Sequence, residues 1–247
     1  MPSFIECVIL AMIVTVSFSI RGATGFGSGA VAVPLAALVM PAQLIIPIIN
    51  NLQLVSNTHF TVQNWRFVQW RETFLVVPYA AVGVMIGLYL FAVLDAKMMA
   101  KGLGVFVITY AMHTMITARD VATVSTRPPS LPVTASLSTA GGLAGALFGG
   151  ATSVFIVLYL KSLHLRRGEF RSTITMIILT LAVMRMVGYV GLGRISIDSI
   201  LLSLFLLPFM GIGAWFGNLL ADRVSPLVFN RIVGVVLLVS GVGLIAK

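Results

Sequence analysis

In 247 residues the chain carries 9% charged side chains against 59% hydrophobic ones, with a mean hydropathy of +1.06. That composition excludes a soluble domain, where about a quarter of residues are charged. The formal net charge of +9 sits in short connections between apolar runs, which reads as membrane topology signals and lipid-headgroup contacts, not as a nucleic-acid surface.

Crossing the hydrocarbon takes about 20 residues, so this length holds about eight helices in one membrane domain. The first apolar run, about Phe4 to Ile20, has Glu6 as its only early charge and no Lys or Arg before it. It lacks the basic start of a cleaved signal and is expected to remain as the first helix. Cys7 is the single cysteine, so neither an intramolecular disulfide nor a multi-cysteine metal site is expected.

A polar, glycine-rich stretch follows: Arg21, Gly22, Ala23, Thr24, Gly25, Phe26, Gly27, Ser28 and Gly29, closed by Pro34. Backbone groups inside a bilayer stay unsatisfied unless protein buries them or they line a watery cavity, so a break here reads as a site. Glycines let a ligand approach backbone N–H groups, and the helix restarting near Gly29 would aim its positive end at an anion. Close helix packing by Gly25 and Gly29 is the competing reading, but it leaves Arg21 unexplained.

Helix two, about Pro41 to Phe60, carries Asn50, Asn51, Gln53, Ser56, Asn57 and His59, with Asn50, Gln53 and Asn57 on one face. These residues suit either a ligand or helix–helix hydrogen bonding. Trp65 and Trp70 beside Arg66, Arg71 and Glu72 mark a membrane–water interface. Helix three is expected at about Thr73 to Leu94 and helix four from about Lys101 to Ala118. The Ser-, Thr- and Pro-rich segment 119–132 is read as a linker between two halves. Helix five, about Val133 to Leu160, is again interrupted by glycines, among them Gly145, Gly149 and Gly150. With no proline between Pro132 and Pro208, this second break is expected to be gentler than the first. Helices six to eight follow at about Ser172 to Val190, Ile197 to Ala221 and Pro226 to Ala246.

Arg185 lies within helix six between Met184 and Met186. A cation at that depth should face a cavity or a partner, unless it snorkels to the interface. The halves, about 1–118 and 133–247, repeat: an offset of 130 residues carries Pro78 to Pro208, Gly83 to Gly213, Gly87 to Gly217 and Gly104 to Gly234. Duplicated halves with glycine-interrupted helices in corresponding places point to the binding site of a secondary transporter, and the two glycine segments are expected to approach each other in the interior. Gly83/Gly87 and Gly213/Gly217 are read as close packing.

Other chemistry is poorly supplied. Gly25 to Ala30 formally fits a dinucleotide fingerprint, but no strand precedes it and no acid follows until Glu72. His59, His113 and His164 are far apart and no carboxylate falls at the centre of an apolar run, so neither an enzyme, a metal site nor a cofactor is expected. The rival classes are a membrane-embedded enzyme and a non-transporting scaffold.

The Gly22–Gly29 segment with Pro34, Asn64-Trp65 after helix two, and Gly145–Gly150 with Phe170-Arg171-Ser172-Thr173 downstream resemble the sulfite-exporter TauE/SafE family of bacterial membrane permeases. The resemblance covers nearly the whole chain. It implies a multi-pass protein of the bacterial inner (cytoplasmic) membrane that moves small sulfur-containing or organic anions. The expected architecture is all-α, about eight transmembrane helices in two homologous four-helix halves, with helices one and five broken. The residues expected to bind the anion are Arg21, Gly22, Thr24, Gly25, Gly27, Ser28, Gly29, Asn50, Asn57, Gly149, Gly150 and Arg185. Expected partners are the lipid bilayer and the anion, with room left for a homo-oligomer. The residues alone leave open whether the halves are parallel or inverted.

Overall fold

The computed structural model describes residues 3–117, 129–220 and 226–246, with the side chains at 113–117, 220 and 226–233 outside that description. Most of the expected linker and the side chain of His113 therefore lie outside the described residues. No strand occurs among the described residues, which form helices α1 (Phe4–Thr24), α2 (Ser28–Val39), α3 (Ala42–Asn64), α4 (Trp70–Val93), α5 (Ala96–Thr117), α6 (Leu131–Phe148), α7 (Thr152–Lys161), α8 (Arg167–Gly191), α9 (Ile197–Leu220) and α10 (Pro226–Ala246). Five of them, α1, α4, α6, α8 and α9, are long and apolar enough to cross a bilayer. Helix α3 has the length but is diluted by its polar row, which is buried inside the protein at Asn50, Gln53 and Asn57.

Both breaks are present, and the first is narrower than the sequence suggests. Arg21 to Thr24 stay helical, and only residues 25–27 leave the helix. Gly25 takes φ +90° and returns its N–H to the Arg21 carbonyl at 2.6 Å, and Gly27 takes the same left-handed conformation before α2 starts. A side chain at either φ would be strained, which is why glycine ends one helix and opens the next. The second break is as complete as the first: Gly149 caps α6 at φ +67°, and α7 begins at Thr152. A glycine in the left-handed region ends a helix without help from proline.

Each broken helix folds back on itself. Gly141 of α6 faces Phe155 of α7 while Gly145 faces Thr152, so the two arms are antiparallel. Glu6, early in α1, shares a cavity with Val39 and Met40 at the end of α2, so that pair is a hairpin too. The hairpins enter from opposite ends. Small residues set their outer packing: Gly213 and Gly217 of α9 let Thr15 and Ser19 of α1 approach, and Gly83 and Gly87 of α4 do the same for Thr139, Leu143 and Ala146 of α6. In both pairs the contacts advance together along the two chains, so α1 runs parallel to α9 and α4 parallel to α6. Lipid offers no hydrophobic drive between helices, so such close backbone approach is what holds them. Helices α3 and α8 are antiparallel, as Asn50 Nδ2 meets the Ala182 carbonyl at 3.1 Å and the Gln69 N–H, just past α3, meets Thr173 Oγ1 at 3.0 Å. Helices α5 and α10 also oppose each other, Gly104 lying by Leu244 and Ile108 by Gly241.

Candidate functional site

The tips of the two hairpins meet in the interior. A Cβ on Gly29 would fall 2.6 Å from the Cα of Gly150, and one on Gly150 would fall 2.6 Å from the Ala30 nitrogen. Backbone touches backbone there, which only glycine on both sides permits. The N-terminus of α2 and the N-terminus of α7 open onto the same small cavity, of about 10 Å³, lined by Arg21, Phe26 to Gly29, Gln53, Asn57, Gly150, Thr152, Ser153, Ile178 and Arg185. Neither helix start has a side-chain cap, so the first N–H groups and the positive end of each dipole face this space.

Two guanidiniums enter it from different helices. Arg185, wholly buried in α8, does not snorkel. Its Nε donates to Asn50 Oδ1 at 3.0 Å, Nη1 to Thr152 Oγ1 at 2.9 Å and Nη2 to Gln53 Oε1 at 3.4 Å. Gln53 Nε2 in turn donates to the Gly149 carbonyl at 3.1 Å. The network ties α8, α3 and the tip of the second hairpin together while leaving the charge without a carboxylate. Arg21, 6% exposed, donates from Nη2 to Asn57 Oδ1 at 2.6 Å. Its Nη1, and the Nδ2 of Asn57, are buried and have no hydrogen-bond partner. An unpaired donor in a buried site costs about 1–3 kcal/mol, more when charged. Here two such donors, one of them cationic, border the same cavity, and among the described residues no carboxylate lines it.

The first tip is braced from α8. Arg171 Nη2 donates to the Gly22 carbonyl at 3.1 Å, Thr175 Oγ1 approaches the Gly25 carbonyl at 3.5 Å, and Phe170 packs edge-on against Phe26 at 6.1 Å between ring centroids.

Of the residues singled out from the sequence, Arg21, Gly27, Ser28, Gly29, Asn57, Gly150 and Arg185 come together around the cavity. The others stand behind it. Gly22 packs against α9, with a hypothetical Cβ 2.9 Å from Gly217 Cα. Thr24 Oγ1 bonds the Ile20 carbonyl at 2.9 Å and the Phe26 carbonyl at 2.7 Å, fixing the turn. Gly25 and Gly149 supply the left-handed caps, and Asn50 orients Arg185. Gln53, Thr152 and Ser153 also line the cavity, beyond the residues chosen from sequence. Gln53 shares the face of Asn50 and Asn57, and Thr152-Ser153 follow the second glycine pair as Ser28 follows the first. His59 is exposed and near Gln63, remote from this chemistry.

Several apolar membrane-length helices, two of them broken at an interior polar cavity, define a multi-pass membrane transporter. The family described as Sulfite exporter TauE/SafE matches residues 9–244, and the chain belongs to that family. It is also similar to the "Probable inner membrane transporter protein TsaS" of Comamonas testosteroni, with 27% identity over 184 residues, 73% of this chain and 74% of that protein. No solved structure matches the chain.

Proposed function

We propose that the protein carries a small, sulfur-containing or organic anion across the bacterial inner membrane, binding it between the two hairpin tips. One observation carries this reading: Arg21 Nη1 and Asn57 Nδ2 are buried, unpaired donors at a cavity where no described residue supplies a carboxylate. The two helix ends add about 0.3–1 kcal/mol each toward an anion. The family description and the relative's inner-membrane name support the substrate class and the location.

In this reading the halves are inverted repeats. The equivalent helices α3 and α8 oppose each other, as do α5 and α10, and the swapped parallel pairs α1–α9 and α4–α6 agree with that inversion. Alternating access is then rocking of one half against the other around a fixed central site. The end bearing Arg66, Arg71, Lys161, Arg166 and Arg167 faces the cytoplasm. The end where the Gln43 amide meets the Leu94 carbonyl carries three basic residues, Lys97, Lys101 and Arg194, against those five, and faces outward.

The test is uptake of labelled sulfite, thiosulfate and alkylsulfonates into proteoliposomes, beside the Arg21→Gln variant. Saturable flux of an anion, lost in the variant, is expected. Flux equal to empty liposomes for every anion would overturn the proposal.

A further inference from the structure

The free hydrogen-bonding capacity of the cavity is almost entirely of one kind. Arg21 Nη1, Asn57 Nδ2 and the uncapped N–H groups at the start of α2 and α7 can only donate. The natural acceptors are neutral oxygens, and each already holds one hydrogen bond. Asn57 Oδ1 is held by Arg21, Gln53 Oε1 by Arg185, and the carbonyls of Gly149 and Gly150 by Gln53 and Ser153. Thr152 Oγ1 accepts from Arg185, which turns its own hydrogen outward as a donor. Lone pairs remain on the hydroxyls of Ser28 and Ser153, poor substitutes for a carboxylate beside two guanidiniums.

Resting on the anion-carrier reading above, we infer that the site selects fully deprotonated oxyanions bearing no ammonium group, and rejects zwitterionic and protonated forms of the same acids. A ligand –NH₃⁺ would meet two buried cations and two helix N-termini with no anion to pair with. A ligand O–H would place a donor against donors, leaving buried groups on both sides unpaired. Selection here comes from what the cavity withholds as much as from what it offers.

The experiment is isothermal titration of the purified full chain in detergent with ethanesulfonate, 2-aminoethanesulfonate, sulfate and sulfite. The aminosulfonate should bind at least about tenfold more weakly than ethanesulfonate, the effect of one unpaired buried group. Sulfite, whose second ionisation lies near neutrality, should bind roughly tenfold more tightly at about pH 8 than at about pH 6, while sulfate binding stays flat, because sulfite is accepted only when it has lost its last proton. Equal affinity for the two sulfonates, or sulfite binding that is flat or strengthens toward acid, would overturn the selectivity while leaving the anion site standing. Binding of none of the four would remove the site itself and the selectivity with it.

Discussion

Arg21→Gln separates a binding residue from a structural one because the two roles move stability in opposite directions. In the empty protein Arg21 has one neutral partner, Asn57 at 2.6 Å, and one guanidinium nitrogen with none. A cation at membrane depth costs about 2.5–3.5 kcal/mol on insertion scales, and no described residue at the cavity neutralises it. Glutamine keeps a donor for Asn57 and removes the charge. The empty variant should therefore melt no lower than the wild-type protein in detergent. The anion should suffer, since a hydrogen bond to a charged group contributes about 1.5–3 kcal/mol, which is a loss of about 10- to 150-fold in affinity. Thermal unfolding with and without saturating anion reads both effects. At a concentration of about 100 times the dissociation constant, the wild-type protein gains about 2.7 kcal/mol from the ligand, and the variant should gain far less at the same concentration. A variant that melts lower when empty yet binds the anion unchanged would refute the reasoning and make Arg21 a strut for Asn57.

The hairpin tips give a second expectation: Gly29→Ala and Gly150→Ala should each abolish transport while the protein still inserts in the membrane, because the new methyl group meets opposing backbone that cannot yield. Overpacking of this kind costs about 1–3 kcal/mol, against little or nothing for Gly168→Ala, where no atom lies within 4 Å, and uptake assays with membrane-fraction blots compare the three. Orientation is checked in a Cys7→Ala background, where Arg166→Cys should react with an impermeant maleimide only from the cytoplasmic side and Ser196→Cys only from outside. The reverse pattern would turn the protein over in the membrane.

The breaks were legible in sequence because they are local. Glycine runs at 22–29 and 145–150 interrupt apolar helices whatever surrounds them, and the structure moved their edges by only a few residues. Arg21 to Thr24 stayed helical because the left-handed cap at Gly25 satisfies the Arg21 carbonyl and needs no earlier disruption. The polar row of α3 was legible for the same local reason. Its division of labour was not: Asn50 serves Arg185, Gln53 holds the Gly149 carbonyl, and Asn57 holds Arg21 and keeps a free donor, which depends on residues 36 to 135 positions away. Of the about eight crossings expected from length and composition, five helices among the described residues meet the length and hydropathy of a span, and α3, long enough, is too polar to qualify.

What the sequence by itself determined is the solvent, the places where helices stop and the presence of two cations in apolar surroundings. Only the tertiary structure decided that the hairpins enter from opposite ends, that α1 pairs with α9 and α4 with α6, and that Arg185 is bonded through all three of its nitrogens while Arg21 keeps one without a partner. The reason lies in the bilayer. In water an amphipathic stripe shows which face of a helix is inside, but lipid is as apolar as a protein core, so helices apolar all round carry no such mark. Their partners are chosen by small residues and scattered polar groups whose matches sit on distant segments, and the direction in which two helices meet is written in those pairs alone.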